Sequence, residues 1–82
     1  MNEAARDLEA EIGDLVRRVL KLPPTGAHAL SRSERVEWDS LKHMELIFAL
    51  EDRYGVQFEE AEFPTLVSTA AIAAALRRRL AA

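Results

Sequence analysis

An 82-residue chain that is 49% hydrophobic and 30% charged can fill one small core and has no length for a second, and its lack of Cys excludes disulfide frameworks, thiolate zinc sites and cysteine nucleophiles. No apolar run approaches the ~18 residues of a membrane span, and the polar start from Met1 to Asp7 is unlike a targeting segment, so a cytoplasmic protein without membrane insertion is expected. The net charge of -3 is uneven: nine acids face three bases between Glu34 and Glu62, which disfavours nucleic acid and favours a basic protein surface as partner.

In chain order, Leu8, Ile12, Leu15, Val16, Val19 and Leu20 fall on one helical stripe. The pattern predicts a helix over about 3–21, capped by Asn2 and stopped by Pro23-Pro24, which have no N–H to donate. Residues 23–38 lack periodicity and read as a long loop, a length class in which function is common. A second helix is expected over 39–54, with Asp39 as its cap and Gly55 as its stop. A short helix over 59–63 closes at Pro64, and a last helix runs over 68–80. Ser68 or Thr69 caps that last helix, Ile72, Leu76 and Leu80 face inward, and Arg77, Arg78 and Arg79 form a solvated end beside the negative helix terminus. The fold class is all-α, a small bundle of three main helices and one short one.

The second helix carries two apolar faces. At about 100° per residue, Leu46, Ile47, Leu50 and Tyr54 share one side, while Leu41, Met44 and Phe48 form another roughly 140° away. Glu45 and Asp52 flank the second stripe on one side, Ser40 and Glu51 on the other. Leu41 and Phe48 can close over the long loop as core or centre a docking face with an acidic rim, and mixed use of the stripe is expected.

Glu37-Trp38-Asp39-Ser40-Leu41, then Glu45-Leu46 and Ala49-Leu50-Glu51, resembles the acyl carrier protein family of phosphopantetheine-binding domains, in which an Asp-Ser-Leu triplet opens the second helix after a long loop. The resemblance covers residues 3 to 80, the first helix by pattern only, and implies a four-helix carrier bundle formed by 1–82 as one domain, expected to be monomeric. It implies that Ser40 takes 4'-phosphopantetheine from coenzyme A through a phosphopantetheinyl transferase, with Asp39 helping to present it. The arm's thiol then carries acyl or aminoacyl cargo between a loading ligase or transferase and downstream enzymes of fatty-acid, polyketide or specialised lipid metabolism. Leu41, Met44, Glu45, Glu51 and Asp52 correspond to positions that dock basic grooves on those partners, and Phe48 joins the expected partner-binding face through its place on the second apolar stripe. The chain departs from the pattern at Glu37, where many members have Gly, at Trp38, which also reads as a buried loop anchor, and at Lys42, where fatty-acid carriers often place an acid.

No catalytic or metal site of the chain's own is expected. Asp39, Ser40 and His43 are the residue types of a hydrolase triad, but a helix start cannot wrap a base and its acid around its own neighbour, and His43 reads as a core or edge histidine. His28 stands alone in the loop, so no metal cluster forms. The rival from another class is a protein-interaction adaptor in which Ser40 is only a capping residue. A helix-turn-helix DNA binder is disfavoured by the acidic second helix.

Overall fold

The computed structural model describes residues 2–23 and 29–81, which leaves Pro24, Gly26 and His28 outside the described residues. Three α-helices pack together: α1 (Asn2–Leu20), α2 (Ser40–Tyr54) and α3 (Thr69–Ala81). A 3-10 turn (Arg32–Glu34) precedes α2, and a 3-10 helix (Glu60–Thr65) connects α2 to α3. No helix is long and apolar enough to cross a membrane among the described residues.

Each helix ends where local chemistry ends it. α1 stops before Pro23 is reached. Lys21 adopts a left-handed conformation (φ 60°), and Leu22 N–H donates to Arg17 O at 2.8 Å while Lys21 N–H donates to Arg18 O at 3.2 Å. This pair of reversed bonds satisfies the last carbonyls without a proline. α2 starts at its Asp39 cap and closes at Gly55, also left-handed (φ 64°). Glycine adopts that conformation without the steric penalty of a Cβ. α3 is capped by Ser68, whose Oγ accepts from Ala71 N–H at 3.1 Å; Thr69, the other expected cap, instead accepts from Leu30 N–H at 3.2 Å.

The core lies where the three helices meet. Ile12, Val16 and Leu20 of α1, Leu46, Ile47 and Leu50 of α2, and Ile72, Ala73 and Leu76 of α3 are all buried, joined by Trp38, Phe58 and Leu66 from the connections. The expected stripes on α1 and α2 are therefore the core faces. Leu80 departs from expectation: it lies a turn beyond Leu76, past the end of the buried stripe, and is 51% exposed. At the edge of the α1–α2 contact, the Tyr54 hydroxyl donates to Glu11 Oε1 at 2.9 Å. Burial, reinforced by that carboxylate, pushes the Tyr54 pKa up to about 12.

Two further expectations are corrected, and the expected long loop gains detail. Its described residues 29–38 contain the 3-10 turn, and Ser31 forms an isolated antiparallel bridge with Ser68. Thr69 N–H also donates to Leu30 O at 3.0 Å, and Arg32 N–H to Val67 O at 2.8 Å. The loop is thus tied to the start of α3. Pro64 lies inside the second 3-10 segment rather than closing it, so the segment runs to Thr65. Arg79 is not a solvated end. Its guanidinium pairs with Glu62, donates through Nε to Gln57 O at 3.2 Å, and lies 4.8 Å from the Phe58 ring centroid.

Arg79, together with the Glu59 N–H that donates to the same Glu62 carboxylate, holds Glu62 below the usual carboxylate range. A carboxyl with a depressed folded pKa contributes stability that is present above its unfolded pKa and is lost as pH falls through the folded value. Urea unfolding should therefore show the wild-type protein losing stability on acidification below about pH 4.5, with a visibly shallower loss in Glu62→Gln. Identical slopes for the two proteins would refute the pairing.

Candidate functional site

The start of α2 is assembled from the loop upward. Trp38, 2% exposed, donates its backbone N–H to Arg35 O at 3.0 Å. Its indole Nε1 donates to His43 Nδ1 at 3.0 Å, and His43 Nε2 lies 2.8 Å from Phe63 O. Because Nδ1 accepts, Nε2 carries the hydrogen and donates to the carbonyl, which defines the neutral tautomer. His43 is buried. The expected loop anchor and core histidine are one hydrogen-bonded unit, reaching from the loop through α2 to the second 3-10 helix.

Directly after this anchor the chain turns outward. Asp39 Oδ1 accepts from Lys42 N–H at 2.9 Å, and Asp39 O accepts from His43 N–H at 2.8 Å. Ser40 is exposed on the first residue of the helix. Its Oγ accepts from Arg32 Nη2 at 3.3 Å, and Arg32 Nε in turn donates to Trp38 O at 3.1 Å. An open groove of about 600 Å³ runs beside the 3-10 turn, lined in part by Arg32, Arg35, Val36 and Val67. The positive end of the α2 dipole and the guanidinium both favour negative charge at Ser40.

The hydrolase-like trio is disconnected by these same bonds. Both His43 nitrogens are committed to Trp38 and Phe63, and the Asp39 carboxylate is committed to the helix cap, so neither serves Ser40 as a base or as its orienting acid. No group of three His, Cys, Asp or Glu side chains converges as a metal site among the described residues.

The second apolar stripe is surface. Leu41 is 67% and Phe48 59% exposed, so neither closes over the loop as core, while Met44 is half-buried and packs against the core. Asp52 is exposed, and Glu45 is exposed and paired with Lys42 at 3.3 Å. Glu51 differs from its acidic neighbours: it is half-buried, and its carboxylate accepts from Phe58 N–H at 2.9 Å. Sequence reading missed this bond and missed Arg32. Glu51 reaches an amide beyond the Gly55 turn, and the only signal for Arg32 was a base eight residues before Ser40.

The site thus sets an exposed hydroxyl on the first residue of the central helix of a small all-α bundle, beside an apolar, acid-edged surface. The family of the phosphopantetheine attachment site matches residues 10–76, and the chain belongs to that family. No curated protein and no solved structure matches the chain. Domains of this family bear covalently bound 4'-phosphopantetheine, which supplies a terminal thiol that this Cys-free chain lacks. The residues present fit such a group, since an accessible hydroxyl has a guanidinium 3.3 Å away and the same arginine lines an open groove.

Replacing His43 with Ala orphans the buried indole N–H and the Phe63 carbonyl. His43→Ala should cost about 2–4 kcal/mol of stability. Urea unfolding followed by the fluorescence of Trp38, the single tryptophan, reads that loss as a lower midpoint; an unchanged midpoint would show that the chain of bonds does not hold the loop.

Proposed function

We propose that the protein is an acyl carrier protein whose attachment residue is Ser40. The observation that carries this reading is the contrast among the four serines. The Ser31 and Ser33 hydroxyls bond each other at 3.0 Å, and the Ser68 hydroxyl caps α3. Ser40 presents an exposed hydroxyl at a helix start whose cap is already supplied by Asp39.

In the reaction that loads the carrier, the Ser40 hydroxyl attacks the phosphorus of coenzyme A that bears the pantetheine. One P–O bond forms, the phosphoanhydride bond breaks, adenosine 3',5'-bisphosphate leaves, and the hydroxyl proton passes to a base of the transferase. Asp39 holds the first turn in register, so Ser40 meets the transferase on a rigid helix rather than a loop. The attached thiol then carries acyl or aminoacyl cargo as a thioester in fatty-acid, polyketide or specialised lipid metabolism, and the carrier itself performs no chemistry on that cargo. It works as a monomer in the cytoplasm, where coenzyme A is available.

Leu41, Met44 and Phe48 form the centre of the docking face, with Glu45, Asp52 and Glu51 at its rim. A loading ligase or transferase, and then the downstream enzymes, meet this face with basic grooves. Exposed charges are screened by salt and steer association more than they hold it, which suits a shuttle that must leave each partner.

Intact mass before and after coenzyme A and a phosphopantetheinyl transferase should show the gain of one phosphopantetheine group in wild type and none in a folded Ser40→Ala protein. Gain by Ser40→Ala would overturn the assignment, and no gain by folded wild type would favour an adaptor with an unmodified serine. Glu45→Lys should slow acyl transfer severalfold at low salt and little at ~0.5 M salt. Glu51→Lys should in addition lower stability by about 1–2 kcal/mol, because the Phe58 amide loses its acceptor. Equal transfer rates for Glu45→Lys and wild type at low salt would remove Glu45 from the docking face.

A further inference from the structure

Arg32 is fixed at two points before it reaches Ser40. Its backbone N–H donates to Val67 O at 2.8 Å, on the segment that leads into α3. Its Nε donates to the carbonyl of buried Trp38 at 3.1 Å. With main chain and guanidinium both anchored, Nη2 is left directed at Ser40 Oγ, 3.3 Å away. No carboxylate lies within ion-pairing distance of Arg32 among the described residues, although Arg17, Arg35, Arg53, Arg77 and Arg79 each have one. The guanidinium therefore meets a neutral oxygen through a weak, exposed bond. A negative charge on the same oxygen would turn that contact into a charge-assisted pair, which is roughly twice as strong. Asp39 adds a reason for a cation here, because its carboxylate sits on the adjacent residue and would oppose a second negative charge at Ser40.

We infer that Arg32 is a positioning residue for the modified carrier: its guanidinium pairs with the phosphodiester on Ser40 and ties that phosphate to the 3-10 turn. This rests on the reading of Ser40 as the attachment residue. Arg32 offsets the charge that modification introduces, and it does so from a side chain already in place, so little side-chain freedom is lost when the pair forms.

The test compares apo and holo forms of wild type and Arg32→Gln, each state defined by intact mass. Loss of the Trp38 carbonyl contact affects both forms of the variant alike and cancels in the holo-minus-apo difference. At low salt the holo-minus-apo shift in Tm should be about 3 °C more negative in Arg32→Gln than in wild type, and the gap should close at ~0.5 M salt. Equal shifts in the two proteins would overturn the inference. A second readout is the phosphorus NMR resonance of the phosphodiester, which a merely structural role for Arg32 would leave in place. In wild type it should be displaced from its position in urea-unfolded holo protein, and in Arg32→Gln it should return towards that position; coincident resonances in the two folded proteins would overturn the pairing. Failure of wild type to gain mass would overturn the Ser40 reading itself, whereas mass gain with equal shifts would overturn Arg32 alone.

Discussion

The arrangement at Ser40 depends on one buried hydrogen-bonded chain, from the Trp38 indole to His43 and on to the Phe63 carbonyl. Its direction is set chemically. The indole can only donate, so the near imidazole nitrogen must accept and the far one must donate. The chain links three separate segments through a buried bond at Trp38 and a part-buried one at Phe63, where an unmet partner is costly. Trp38 is the pivot: its side chain faces the core, its carbonyl receives Arg32, and the next two residues are the helix cap and the exposed serine. A rigid hydroxyl on the surface is the outcome of a tryptophan that cannot move beneath it.

The surface of α2 divides its charges between two uses. Glu45 and Asp52 remain at the surface, with Glu45 tempered by Lys42. Glu51 turns inward to the Phe58 amide and helps to close the connection after Gly55. Between them Leu41 and Phe48 stay exposed, which places an apolar centre within a mildly acidic rim. This surface is less negative than a count of acids on the helix suggests, because one acid pairs with a lysine and another belongs partly to the fold.

Much of this was legible from the residues in order. The α1 stripe, the Asp39 cap, the Gly55 stop and the inward face of α2 follow from periodicity and end chemistry, both of which are local. The Asp39-Ser40-Leu41 resemblance pointed to the family that the match over residues 10–76 establishes. What escaped were contacts between distant backbones and reaches across turns. The pairing of Ser31 with Ser68 leaves no local periodicity. Arg32 looked like one more loop charge until the Trp38 carbonyl fixed its direction. Arg79 looked like a solvated base, because the Glu62 carboxylate that receives it stands on another element. Leu80 continued the right spacing past the end of the surface that could bury it.

The tie between the loop and the start of α3 also bears on the order of assembly. Leu30 and Thr69 are 39 residues apart in sequence, and closing so long a loop carries an entropic cost that local helix formation does not. α2 can therefore form early with its cap in place, while Arg32 acquires its Val67 anchor only once the segment before α3 has docked. During synthesis, Ser40 emerges well before the last helix exists. The serine, its cap and the Trp38 carbonyl that receives the guanidinium all lie within a few residues of one another, whereas the backbone anchor of Arg32 needs the segment before α3.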